Sequence, residues 1–244
     1  MSERRAPPPP INLPSPSQRR RLVIIIVVAL LAPIASLVVL GGVFLQTKGW
    51  TTYNMPSSSM LPSVRVGDYF LVDQQAYGHG RLPRRGDVIV FYAPSHIFLG
   101  PQAPAGRGAP FIKRILGIPG DRIIIKGGVP ELNGTPLVQK PLGEYAGGSQ
   151  AYKGRRLREY LFDGASYEIL KLSLNGMLGN GPLFVVPTGA YFVLGDNRDD
   201  SLDSRSRAGE SVGWYVPLAD IVGQAKYVYW SGFDRLGRIG SALK

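Results

Sequence analysis

Between Leu22 and Thr47 the chain carries no charged residue, and Arg19-Arg20-Arg21 stand directly before it. About twenty apolar residues suffice to cross a bilayer as a helix, and this run is slightly longer. A removable leader has a shorter apolar core, roughly 7–15 residues, ahead of small residues at its cut. Ala32-Pro33-Ile34-Ala35-Ser36 faintly resembles such a site, yet Leu37-Val38-Val39-Leu40 continues the apolar run beyond it. Residues 22–47 are therefore expected to form one transmembrane helix, kinked rather than ended at Pro33. The arginines gather on its N-terminal side, which places that end in the cytoplasm and residues from Lys48 onward outside. The preceding residues 1–21, with Ala6-Pro7-Pro8-Pro9-Pro10, Pro14 and Pro16, read as a disordered tail that cannot bury a core.

Composition removes several classes of chemistry. The chain has no cysteine, which excludes thiol peptidases, disulfide scaffolds and thiolate metal sites. It has two histidines, His79 and His96, so a multi-histidine metal site is not expected, and neither sits in a context that suggests a catalytic base. The formal net charge is +11, but basic residues beyond the N-terminal arginines are interspersed with acids. No nucleic-acid signature accompanies them, so the expected acidic partner is a lipid bilayer rather than a nucleic acid.

After Trp50 the pattern is one of short β-type runs, such as 68–72, 87–92 and 110–115, separated by Gly and Pro. Gly-Asp pairs at 67–68, 86–87, 120–121 and 195–196 punctuate them as turns. Asn133-Gly134 signals a hairpin. No helical period long enough for a bundle appears, so the expected class is mainly β. Near the C-terminus, Lys226, Tyr227, Tyr229, Trp230, Phe233 and Arg235 fit two readings, an interface-seeking patch or a strand with one buried face.

Two stretches suggest chemistry. Met55-Pro56-Ser57-Ser58-Ser59-Met60-Leu61-Pro62 presents hydroxyls on a backbone stiffened by proline, which by itself is also a polar hinge. Phe111-Ile112-Lys113-Arg114 sets a lysine after an apolar pair. A serine hydroxyl needs a base, and a lysine serves only when burial keeps it neutral. In a regular strand Lys113 and Arg114 face opposite ways, and arginine does not deprotonate, which favours Lys113 over its neighbour. A strand-edge lysine facing solvent is the alternative. The run Gly195-Asp196-Asn197-Arg198-Asp199-Asp200-Ser201-Leu202-Asp203-Ser204-Arg205 reads physically as a polar turn with carboxylate–guanidinium pairs; its interleaved arginines argue against a Ca²⁺ loop.

Taken together with Gly86-Asp87-Val88-Ile89-Val90-Phe91, and in this order, these boxes resemble those of the bacterial type I signal peptidase (leader peptidase) family. The resemblance covers the chain from about Tyr53 to its end. It implies a signal-peptidase-like catalytic β-domain over 48–121 and 187–244, with a second β-domain inserted at 122–186. It implies Ser59 as nucleophile, Lys113 as general base, and the Ser57 hydroxyl with the Ser59 N–H as oxyanion donors. Ser201 would orient the lysine, with Asp203 and Arg205 as a supporting ion pair. Met55, Pro56, Met60, Val64, Phe111 and Ile112 would surround the pocket for the residue before the cut. The substrates implied are signal peptides of exported preproteins with small residues at −1 and −3, cut at the outer face of the cytoplasmic membrane without cofactor or metal. A specialised processing peptidase of the same fold, for conjugative transfer or pilin maturation, and a non-catalytic tethered adaptor that docks peptides on a β-edge are the rival readings.

Overall fold

A computed structural model describes residues 16–78, 80–94, 107–145, 147, 153–172, 179–206 and 213–243. His79 and His96 lie outside them, as does the proline-rich tail up to residue 15. The chain divides into two units, residues 1–48 and 49–244. The first is the helix α1, Pro16–Thr47, which contains Pro33. It takes in residues 16–21, expected above to belong to the tail; proline at the start of a helix loses no intrahelical bond. Described apolar side chains along α1, among them Ile24, Val28, Leu31 and Leu40, are exposed. Side chains at several of its positions, including 22, 34, 37, 38 and 43–46, lie outside the described residues, and among those described no helix is long and apolar enough to cross a membrane. The transmembrane reading of 22–47 thus rests on its charge-free sequence.

The second unit is mainly antiparallel β. Its strands are β1 (Trp50–Asn54), β2 (Tyr69–Asp73), β3 (Val88–Pro94), β4 (Arg107–Gly117), β5 (Arg122–Lys126), β6 (Val129–Leu132), β7 (Thr135–Pro136), β8 (Val138–Tyr145), β9 (Gly154–Tyr160), β10 (Ser166–Lys171), β11 (Phe184–Val185), β12 (Ala190–Leu194), β13 (Val216–Pro217) and β14 (Ile221–Trp230). One sheet of seven strands runs β1-β2-β14-β3-β4-β12-β13, so the last long strand lies between β2 and β3. Residues 122–186 contribute two further sheets, β11-β5-β6-β7 and β10-β9-β8.

Side-chain alternation on β3 shows how the large sheet is buried on both faces. Val88 and Val90 pack with Met55, Met60, Val64 and Phe70 on one side. Ile89 and Phe91 pack with Ile115, Tyr191, Val193 and Trp214 on the other. A third cluster joins Leu116, Phe192 and Leu194 of the large sheet to Ile123, Ile125, Tyr167 and Ile169 of the 122–186 segment. That segment therefore shares a core with the large sheet.

Three of the four Gly-Asp pairs make the same turn. Gly67, Gly86 and Gly120 have φ of 85°, 89° and 89°, a conformation that a side chain disfavours. In each case the next carboxylate accepts the backbone N–H three residues earlier, from Arg65, Arg84 and Ile118, all at 2.9 Å. Gly195 is different, because it is close packing that demands glycine there: a Cβ would lie 2.2 Å from Ser201 Oγ and 2.5 Å from the Ser59 carbonyl oxygen. The Asn133-Gly134 pair forms the β6–β7 hairpin, with φ of 53° and 84°.

The C-terminal aromatics lie on and just after β14, a strand with one buried face. Ala225 and Val228 are buried, while Tyr227 and Tyr229 are exposed and Trp230 meets Phe233 edge-on at 4.9 Å.

Candidate active site

Lys113 lies on β4, paired across to Ile89 of β3, so it belongs to the middle of the large sheet rather than to a solvent-facing edge. It is 2% exposed. Its Nζ is 2.8 Å from Ser59 Oγ and 2.8 Å from the Ile112 carbonyl oxygen, and it lies 5.3 Å from the centre of the Phe111 ring. Burial lowers its pKa from 10.5 to about 8, although Asp203 and Asp196 pull the other way.

The serine run is held from beneath. Ser59 is buried, and Ser57, exposed, has its Oγ 3.2 Å from Ser59 Oγ. The Asn197 backbone N–H donates to the Ser59 carbonyl at 3.1 Å, and its side-chain amide donates to the Ser58 carbonyl at 3.2 Å. Asn197 in turn is clamped by β10: Leu170 N–H donates to the Asp196 carbonyl at 2.8 Å, and Arg198 N–H to the Leu170 carbonyl at 2.9 Å. The 122–186 segment thus reaches the serine run through Asn197, and directly where Leu61 packs with Tyr145 and Leu170.

Three buried ion pairs surround this arrangement. Arg205 is bidentate on Asp203 at 2.9 and 2.8 Å. Arg114, on the strand face opposite Lys113, is bidentate on Asp196 at 2.7 Å through both contacts and lies 4.2 Å above the Tyr167 ring. Arg198 grips Glu159 with both terminal nitrogens, and the Tyr167 hydroxyl donates to the same carboxylate at 2.7 Å. Burial alone would raise the pKa of Asp203 and of Glu159; the facing guanidiniums and hydrogen bonds outweigh it and hold both below the ordinary carboxylate range.

Of the residues named from sequence, Ser57, Ser59 and Lys113 come together, and Asp203 pairs with Arg205. The Ser201 hydroxyl is placed otherwise: it is buried without a hydrogen bond of good geometry, to Lys113 or to any described group. It stands close enough to Asp203 to help hold that carboxylate's pKa down. An open groove of about 500 Å³ runs past the serines, lined by Met55, Pro56, Phe111 and Ile112 from the expected pocket. Met60 and Val64 do not line it; both are fully buried in the core beneath. Sequence reasoning missed Tyr53, Phe70, Val90, Asp200 and Leu202 in the groove wall. It also missed the roles of Asn197 and Asp196, although both stand inside the Gly195–Arg205 run. Glu159 and Tyr167 carried no signal, since they are distant in sequence from every box. Among the described residues no cluster of His, Asp and Glu could hold a metal ion.

A mainly β chain that sets a serine hydroxyl against a buried lysine amine, beside an open groove, has the makings of a serine peptidase. A model of the family described as signal peptidase, peptidase S26, matches residues 20–230, and the chain belongs to that family. It is 29% identical over 204 residues to signal peptidase I of Rickettsia typhi, covering 73% of this chain and 71% of that protein. The signal peptidase I of Rickettsia akari gives the same identity and coverage, 29% over 204 residues. A crystal structure of a signal peptidase I from Enterococcus faecalis aligns with a TM-score of 0.31 at 24% identity, covering 59% of this chain and 97% of that one.

Proposed function

We propose that Ser59 and Lys113 perform the signal-peptide cleavage that family membership assigns to this chain. Neutral Lys113 takes the Ser59 proton as Oγ attacks the carbonyl of the residue before the cut. The Ser59 N–H and the Ser57 hydroxyl face the developing oxyanion, where each donor is typically worth about 3 kcal/mol. The protonated lysine then passes its proton to the departing amine, and water, deprotonated by the same lysine, releases the acyl group from Ser59. The observation that carries this reading is the 2.8 Å separation of Lys113 Nζ from Ser59 Oγ at a lysine only 2% exposed. A peptide-docking adaptor has no use for an ionisable group buried at this cost.

The apolar wall of Met55, Pro56, Phe111 and Ile112 supports selection of small residues at −1 and −3. Alternate residues of an extended peptide point the same way, so −2 stays permissive. Residues 48–121 and 187–244 act as the catalytic module and 122–186 as an inserted one. The charge-free α1 sequence behind Arg19-Arg20-Arg21 supports a single-pass anchor with its N-terminus in the cytoplasm and the catalytic unit on the outer face. Anchoring confines enzyme and preprotein to one plane and raises their effective concentration.

The test is detergent-solubilised protein incubated with a preprotein, beside Ser59→Ala and Lys113→Arg. Both variants should lose cleavage, since arginine cannot supply a neutral base. Retained cleavage by Lys113→Arg would end the assignment of the base.

A further inference from the structure

The groove is apolar along most of its length, with Tyr53, Met55, Phe70, Val90, Phe111 and Leu202 in its walls. Apart from the Tyr53 phenol, the ionisable side chains that line it are Lys113 and Asp200. The lysine amine is buried and engaged with Ser59. Asp200 is exposed, and its Oδ2 accepts a hydrogen bond from the Ser58 hydroxyl. The other carboxylates of the same loop are committed elsewhere. Asp196 and Asp203 are each clamped by an arginine, and Asp199 accepts the Leu172 N–H at 2.8 Å. Among the described residues no cation pairs with Asp200.

We propose that Asp200 is a charge-selective subsite of this groove, favouring a substrate with a lysine or arginine beside the scissile bond and disfavouring an acidic one there. The inference rests on the reading that the groove holds the peptide cut by Ser59. Three features support it. Ser58 is the chain neighbour of Ser59, so the carboxylate it holds lies within reach of substrate residues bordering the cut. The hydrogen bond fixes one carboxylate oxygen and leaves the other free to accept from a substrate. Apolar walls concentrate the field of a lone charge more than open water does. The groove therefore reads shape through its walls and charge through Asp200.

The experiment uses the full chain in non-ionic detergent and peptides with alanine at −1 and −3. Each of positions −2, +1 and +2 carries Lys, Gln or Glu in turn. At one of these positions Lys should exceed Glu by about fivefold or more in kcat/KM, the combined effect of one weak attraction and one repulsion. The ratio should shrink between low and high salt. Asp200→Asn keeps an acceptor for Ser58 and should bring the three peptides together. The same ranking should appear in the Kd values of the peptides for the Ser59→Ala protein, where nothing is cut. Equal Lys and Glu values at all three positions, in cleavage and in binding, overturn the proposal. So does a preference that survives Asp200→Asn. Loss of Ser59-dependent cleavage with the binding preference intact would instead strike the catalytic reading and leave this subsite standing.

Discussion

Replacing Lys113 by methionine should abolish cleavage yet relieve a pH-dependent cost in the folded state. Burial lowers the lysine pKa from 10.5 to about 8. With the folded value below the unfolded one, the folded protein holds fewer protons than the unfolded chain between those two pH values. Stability is therefore lowest below pH 8 and rises with pH through the window, by about 1.4 kcal/mol per pH unit and about 3 kcal/mol in all. Methionine carries no such term. Losing the contacts to Ser59 and the Ile112 carbonyl offsets part of the gain, at about 1 kcal/mol each. Lys113→Met should thus be more stable than the parent protein near pH 7, by about 1 kcal/mol. That advantage should fall by about 2 kcal/mol on going to pH 9.5. The assay is urea unfolding in detergent at a series of pH values. The parent's kcat/KM supplies an independent reading of the same group: the neutral amine is the active form, so the rate should drop about tenfold per unit as pH falls below about 8. A stability difference between the two proteins that ignores pH, or an activity limb far from the stability window, would refute the buried-base argument.

Other outcomes follow from single contacts. Gly195→Ala should lower kcat more than it raises KM, because the new methyl group displaces the Ser59 carbonyl or Ser201. Glu159→Ala leaves Arg198 buried without its partner and should cost about 3–5 kcal/mol, read as a lowered Tm, whereas Glu159→Gln keeps an acceptor and should cost less. In a preprotein series varied at −1, Ala should exceed Leu in kcat/KM, since extra methylenes against packed walls cost about 1–3 kcal/mol; comparable values would show that the groove does not set specificity. Protease added outside intact spheroplasts should degrade the unit from Gly49 onward, and complete protection would overturn the topology.

What could be read from sequence was whatever depends on neighbours in the chain. The strands announced themselves through β-branched runs, and Gly67, Gly86 and Gly120 announced turns because the geometry is local and needs that residue. Strand alternation correctly separated Lys113 from Arg114, but not what either would face. Met60 and Val64 were assigned to the pocket by resemblance alone, and nothing local in the sequence shows that their side chains turn into the core. The 197–198 clamp was invisible for a different reason. Its partners, Leu170 and Glu159, come from β10 and β9, and pairing across strands far apart in sequence leaves no periodic trace. The function was legible through the order of the boxes, which no single box would have supported.

The buried charges around Lys113 make sense as a set. A neutral lysine needs a dry site, yet Asp196 and Asp203 lie near enough to favour its protonated form. Left bare, those two carboxylates would return the proton that burial expels. Each is instead held by an arginine, Arg114 or Arg205, so what the lysine meets is closer to a dipole than to an anion. The field of a compact pair falls off faster with distance than that of a lone charge, which leaves desolvation as the dominant influence. Arginine suits this task because it stays protonated in the interior and its planar fork engages both carboxylate oxygens. The same pairs tie β4 to the 195–205 loop and, through Arg198 and Glu159, to β9, so one set of contacts both positions the serine run and screens the carboxylates nearest its base. Removing Arg205 should therefore do more than loosen the fold: with Asp203 unscreened, the lysine pKa should rise and the active pH range move upward.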